Sequence, residues 1–333
     1  MCKAISAPFE WGLEVSSNAS LDAASLEQLR RRGVTALGVS LPWARVEQRE
    51  NQLIKTPLNR VARLARICHR LGISAVVSLH AETTPAWLTE TRGWRCRRAG
   101  RHFERYIACI GEALAGTQAR IVVLDADGFD ELATTGAEIS NLLMAHASAR
   151  RLLRSATPDL KSGLSLSPNY QLRFRSTEAL AGTAWSKQVH RWLPYCAGDD
   201  FLSLHVRPPV LQRSHRYGLE HSSCWLPSDT EAVVQLIAAE TELPLYLSGA
   251  MTSGSASDPE VRKKFAGSSL VGLSRCISRG VDVRGWIHSH AEDLRLFQRV
   301  HADASSVRQA APADSGNAAP QRPRSPACRL CPS

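Results

Sequence analysis

The chain has no run of 18 or more apolar residues, so nothing in it is long enough to cross a bilayer as a helix. Its first stretch, Met1 to Trp11, holds a single Lys and no apolar segment followed by small residues. No secretory leader is legible there, and a cytoplasmic location is the expectation. Nine cysteines are scattered without the dense, even spacing of a disulfide scaffold, so structural disulfides are not expected. Cys328 and Cys331 form a C-x-x-C pair, but in a Pro/Ser/Arg segment with no second ligand pair and no strand-helix context, which reads as solvated tail, not a metal or redox site. Acid is the scarcer charge: 31 Asp and Glu stand against 41 Lys and Arg, a formal +10. The densest basic run is Arg92, Arg95, Arg97, Arg98, Arg101 and Arg105. Such a run raises the question of nucleic acid. It has few interleaved aromatics and no accompanying recognition motif, and arginine-rich helix faces are commonly just solvated, so nucleic acid is not expected as a partner.

What is present is a 333-residue chain with 44% apolar composition, enough to bury one large core. From about His301 the sequence becomes Ala, Ser, Pro, Arg and Gln with almost no large apolar residue, too little to offset the entropy of ordering it. The expected organisation is a single domain over residues 1–300 and a disordered tail over 301–333. Within the domain, β-prone runs alternate with amphipathic stretches, the pattern of a parallel sheet covered by helices. A helix at Leu21–Arg32, with Ser20 and Asp22 as candidate caps, precedes a strand at Ala36–Leu41. A second helix, Pro57–Leu71, puts Leu58, Val61, Leu64, Ala65, Cys68 and Leu71 on one face and leads to a strand at Ser74–Leu79. Further pairs are His102–Ala115 with Arg120–Leu124, Glu138–Ser155 with Ser162–Leu166, Asp229–Glu240 with Leu243–Leu247, and Glu260–Ser278 with Val283–Ile287. Helix-then-strand units repeated at this rhythm over roughly 290 residues point to an α/β fold, a (β/α)8 TIM barrel. In that architecture chemistry belongs to the strand ends.

Seven collinear stretches resemble glycoside hydrolase family 1, the β-glucosidase family. Phe9-Glu10-Trp11-Gly12 is similar to its opening F-x-W-G, and Val39-Ser40-Leu41-Pro42-Trp43-Ala44-Arg45-Val46 to its F-S-x-x-W-x-R-[IV]. Ser78-Leu79-His80, Pro85, Trp87-Leu88 and Gly93-Trp94 resemble T-L-x-H-W-D-x-P-x-x-L and the G-G-W that follows. Asn141 to Ala147 resembles the helix with L-L-x-A-H-[AG], and Asp200-Phe201-Leu202 the start of D-F-x-G-x-N-Y-Y. Leu243-Pro244-Leu245-Tyr246-Leu247 resembles P-[IL]-x-[IV] before T-E-N-G, and Asp282-Val283-Arg284-Gly285-Trp286 resembles D-[VL]-x-G-[YW].

The resemblance implies retaining glycoside hydrolysis, which needs two carboxyl groups about 5 to 5.5 Å apart, one acid/base and one nucleophile. At the matching positions neither glutamate is present. The acid/base segment T-x-N-E-P reads Val123-Leu124-Asp125-Ala126-Asp127, and the nucleophile segment I-T-E-N-G reads Leu247-Ser248-Gly249-Ala250-Met251. Supporting positions differ as well: Gly38 stands for the strand-two Arg, Ala19 for a sugar-gripping Gln, Ala81-Glu82 for His-Trp, Val206 for a Tyr, and Ser289-His290 for Trp-Ser, while Asp293 keeps the acidic position downstream. Nearby carboxylates that could substitute are Asp125, Asp127 and Glu82, but no Asp or Glu occurs between Glu242 and Asp258.

The expected function is therefore a family 1-like barrel without the retaining reaction, binding a carbohydrate, another small molecule or a protein partner, with no cofactor. The alternatives are a different chemistry in the same pocket, including metal-assisted or inverting hydrolysis, or a divergent O-glycosyl hydrolase. The expected pocket is Trp43, His80, Glu82, Asp125, Asp127, His205, Arg207, His288 and His290. For each His the ordinary alternative is a hydrogen-bonded structural side chain, and for each Asp a cap or loop anchor.

Overall fold

Short β-branched and leucine-rich runs, each closed by a polar turn, form eight strands: β1 Glu10–Ser16, β2 Ala36–Ser40, β3 Ser74–Ser78, β4 Arg120–Asp125, β5 Lys161–Leu166, β6 Phe201–His205, β7 Leu245–Gly249 and β8 Val283–His288. All pair in parallel with their sequence neighbours, and β1 pairs β8, which closes the barrel. The computed structural model describes residues 9–16, 19, 21–79, 84–125, 136–166, 184–206, 226–249 and 259–288. The expected tail, 301–333, lies outside them. Among the described residues, a helix of two or more turns follows each of the first seven strands: α1 Ala23–Arg31, α2 Lys55–Arg70, α3 Arg98–Leu114, α4 Gly136–Ala156, α5 Ala184–Cys196, α6 Pro227–Glu240 and α7 Pro259–Ser278. Among the described residues, no helix is long and apolar enough to cross a membrane.

The helix boundaries follow local chemistry. Asp22 caps α1 by accepting from Ser25 N at 2.8 Å, and Gly33 ends the turn beyond it at φ +88°. Helix α2 buries Leu58, Val61, Leu64, Ala65 and Cys68 on the face expected from their spacing, with Leu71 only partly covered at its end. Gly72, at φ +67°, turns the chain from α2 into β3. Pro227 opens α6, where a missing N–H costs nothing, and the Asp229 carboxylate accepts from Leu226 N at 2.7 Å.

Two separate apolar clusters fill the molecule, because alternate residues of a strand face opposite sides. Leu37, Val39, Val77, Ile121, Leu202, Leu204, Leu245 and Leu247 point out of the barrel into the main core beneath the helices. Val76, Val122, Phe201 and Ile287, with Tyr246 against them, form a smaller cluster on the other face, inside the barrel. Below it, at the N-terminal ends of the strands, Arg120 pairs with Glu10 and lies 4.0 Å over the Tyr246 ring, while Ser74 Oγ donates to Glu10 at 3.0 Å.

The barrel closes around this inner cluster because glycines make room for it. A Cβ at Gly12 would meet Ile287 Cγ1 at 2.7 Å, and one at Gly38 would meet Ile287 Cγ2 at 2.9 Å. One at Gly163 would meet the Phe201 ring at 2.9 Å.

The best-packed part of the outer shell centres on Trp43, at the start of a single-turn helix, Trp43–Val46. Its ring lies 5.4 to 6.2 Å from those of Trp87, Trp94, Phe103 and Tyr106. A fully buried carboxylate, Glu47, ties this group together. It accepts from Trp43 Nε1 at 2.9 Å, Asn51 N at 3.0 Å and Arg105 at 2.5 Å, and its backbone carbonyl accepts from Trp87 Nε1 at 2.9 Å. Tyr106 donates its hydroxyl to Leu41 O at 2.7 Å, and complete burial pushes its phenol well above the usual range.

Candidate functional site

On each of the first seven strands, alternation places one residue at the next inward level above the Val76–Val122–Phe201–Ile287 floor. On five strands it is serine: Ser40 two residues past Gly38, Ser78 past Val76, Ser165 past Gly163, Ser203 past Phe201, and Ser248 past Tyr246. On β1 it is Glu14, two residues past Gly12 and in register with Gly38. On β4 a bulge between Val122 and Leu124 shifts the pairing, so Asp125 stands in register with Ser165. The result is a collar of short hydroxyl side chains with one acid, Glu14, at the C-terminal ends of the strands where barrel chemistry is housed.

Two members of this collar have unmet hydrogen-bonding capacity. Ser165 is 2% exposed, and its Oγ has no hydrogen-bond partner among the described residues. Glu14 is partly buried beside Gly38, whose Cβ position would lie 3.6 Å from Glu14 Cβ. At the β6 end, His205 is buried and its Nδ1 lies 3.0 Å from Ser248 Oγ, a contact produced by their register partnership.

The structure distributes the expected pocket residues unevenly. His205 shares the inward face of Phe201 and Ser203 and joins the collar through Ser248. Asp125 ends β4 at the collar level. Trp43 is instead held in the aromatic shell outside the barrel, its indole fully buried and donating to Glu47. His288 pairs in register with Leu13 and Gly249, on the face of Trp286, whose ring lies 5.7 Å from its own, so it points to the outer core and not the collar. His80, Glu82, Asp127, Arg207 and His290 lie outside the described residues.

Gly249 also takes the outward face: a Cβ there would stand 3.4 Å from Trp286 Nε1 and 3.5 Å from Val206 O, so the inward residue at this strand end is Ser248. Neither brings a carboxylate. Among the described residues no three His, Cys, Asp or Glu side chains gather closely enough to hold a metal ion.

Glu14 and the serines were not singled out from sequence, although a signal existed. In Glu10–Ser16 the apolar Trp11, Leu13 and Val15 alternate with Glu10, Gly12, Glu14 and Ser16, so one face of a strand is apolar and the other polar. At the opposite end of the barrel, a surface groove of about 630 Å³ is lined by His190, Leu193, Pro194, Glu240 and Leu243, with His190 Nδ1 3.7 Å from Glu240. It lies at the N-terminal side of β7, away from the collar.

Comparison with solved structures finds the same barrel. The β-glycosidase BGL167 superposes with a TM-score of 0.66 over 93% of this chain and 99% of its own, at 18% identity. A β-glycosidase from Pyrococcus horikoshii gives 0.62 over 84% of each chain at 18% identity. The family 1 β-glucosidase from Thermotoga maritima gives 0.62 over 84% of this chain and 87% of its own, at 13% identity. At these identities the likeness is one of fold. No protein-family model and no curated protein sequence matches the chain.

Proposed function

We propose that this chain is a glycoside-hydrolase-like barrel that binds a carbohydrate at its strand ends and has lost the retaining reaction. The observation that carries this reading is the absence of any Asp or Glu between Glu242 and Asp258, a span that contains all of β7 and the segment after it. The covalent step of retaining hydrolysis needs a carboxylate at that strand end, and its partner acid about 5 to 5.5 Å away. Ser248 and Gly249 occupy the end of β7, and Gly249 faces Trp286. Groups that act as a catalytic unit lose many orders of magnitude in rate when one is removed. The same mouth remains polar: hydroxyls on five strands, His205 and Glu14 suit hydrogen bonding to a polyhydroxyl ligand.

Purified protein is expected to leave a chromogenic β-glucoside intact while binding members of a sugar panel in equilibrium titration. Binding of none of the panel would overturn the carbohydrate reading, and capture of a protein partner at the same mouth would replace it. A second reading keeps catalysis but changes its type, and it draws on the contact between His205 and Ser248 with Asp125 at the same level. Turnover of any glycoside that disappears in Asp125→Asn or Asp127→Asn would select that reading.

A further inference from the structure

The collar carries an electrostatic imbalance that narrows its ligand. Glu14 makes no hydrogen bond or ion pair among the described residues, although it is partly withdrawn from water. The nearest inward cation on the described strands, Arg120, lies below the apolar floor, already engaged with Glu10 and the Tyr246 ring. The other five described collar positions are uncharged serines. A partly buried carboxylate without a counter-charge is stabilised most by a cation that also donates hydrogen bonds. A separate observation points to a ligand at the same level: the Ser165 hydroxyl is nine-tenths buried or more, without a partner, and faces the lumen. Buried hydroxyls in folded proteins are almost always satisfied, by protein, water or ligand.

We infer that the collar is a site for a sugar carrying a protonated amine, with the Glu14 carboxylate receiving the ammonium and Ser165 hydrogen-bonding a ring hydroxyl. This rests on the carbohydrate reading above and goes beyond it by fixing the charge of the ligand and the residue that reads it. Glu14 lies on the strand face opposite Trp11, Leu13 and Val15, at a position none of the family-like motifs uses. Its neighbour across the register is glycine, so nothing on β2 crowds its approach to a ligand.

The test is calorimetric titration of the full chain with glucosamine, glucose and N-acetylglucosamine, which differ at one substituent and separate charge from shape. Glucosamine is expected to bind at least about tenfold more tightly than the other two, the size of effect one charge-assisted hydrogen bond gives. That preference should vanish in Glu14→Gln, which keeps shape and removes charge, and should weaken as added salt rises. Ser165→Ala is expected to weaken all three sugars by a similar, several-fold factor, with an unchanged melting temperature showing that the variant is folded. Equal binding of all three sugars, or a glucosamine preference that survives Glu14→Gln, overturns the inference and leaves the carbohydrate reading intact. Binding of none of the three, nor of the wider panel, brings down both.

Discussion

Four aromatic rings surround Trp43, which has no exposed surface, and the Glu47 carboxylate and backbone carbonyl accept from two of the indole N–H groups. At the strand ends of the same barrel, small hydroxyls stand on five strands, and among the described residues one of them is buried without a partner and Glu14 has no counter-ion. The first region is organised for stability, since its large rings are buried together and the Glu47 carboxylate, the Trp43 and Trp87 indole N–H groups and the Tyr106 hydroxyl are all paired. The second gives up stability: serines add little packing, and an unpaired buried hydroxyl costs about 1 to 3 kcal/mol. Sites that bind or react tend to be left underpaired in this way, because their partners arrive from outside. The residues that carry the family-like motifs, Trp43, Trp87, Trp94 and His146, sit mostly in the stable region. His146 is fully buried with Nε2 2.9 Å from Asp199, which also pairs with Arg150 at 2.9 Å.

The contrast can be broken at several points. The largest effect is expected from Trp43→Ala, which should lower the unfolding free energy by about 3 to 5 kcal/mol, read by urea denaturation, as the central ring and its bond to Glu47 are both lost. A loss near zero would mean that the shell is not the stabilising region. Next comes Gly12→Ala, expected to cost about 1 to 3 kcal/mol because its new methyl would meet Ile287 at 2.7 Å. The cost should be largely relieved in the Gly12→Ala, Ile287→Ala double variant, measured against Ile287→Ala alone in a double-mutant cycle. Additive costs would show that Ile287 does not fill the space those glycines leave.

At the collar the sign should change. Ser165→Ala is expected to be neutral or to stabilise by up to about 1 kcal/mol, since it removes a buried hydroxyl with no partner while costing ligand affinity. A clear destabilisation would show that the hydroxyl is a structural bond and not a binding group. The smallest effect belongs to the solvent-facing side of α1, where Arg30 beside Glu27 holds its carboxyl down at about 2. The folded state therefore binds this proton less readily than the unfolded chain, so the contribution is present above the ordinary value of 4.5 and fades as pH falls through about 2. Glu27→Gln should flatten that part of an acid-denaturation profile and lower the melting temperature at neutral pH only slightly, as expected for an exposed pair.

Much of the scaffold could be read before any coordinates. The periodicity of Leu58, Val61, Leu64, Ala65 and Cys68 placed α2 and the strand that follows it. Strand β7 begins two residues later than expected, at Leu245 and not Leu243, because Pro244 lends only its carbonyl, to Leu202 N at 3.0 Å, and the ladder starts beyond it. Helix α5 was not anticipated at all, and it carries Pro194 inside, a residue that normally argues against a helix. The strand ends were harder, for a physical reason. Which side chains converge there depends on barrel register, and a single bulge at Val122/Leu124 moves Asp125 to the level of Ser165. Motif position suggested Trp43 and His288 for the pocket; strand face and packing hold both outside it. Glu14, on the polar side of an alternating strand, belonged to no motif and was passed over.

The central claim is that the end of β7 offers no carboxylate to bond an anomeric carbon. Incubation of the full chain with a mechanism-based 2-fluoroglucoside, followed by intact mass measurement, tests it directly. The expected mass is identical to that of untreated protein; a stoichiometric glycosyl adduct would contradict the claim.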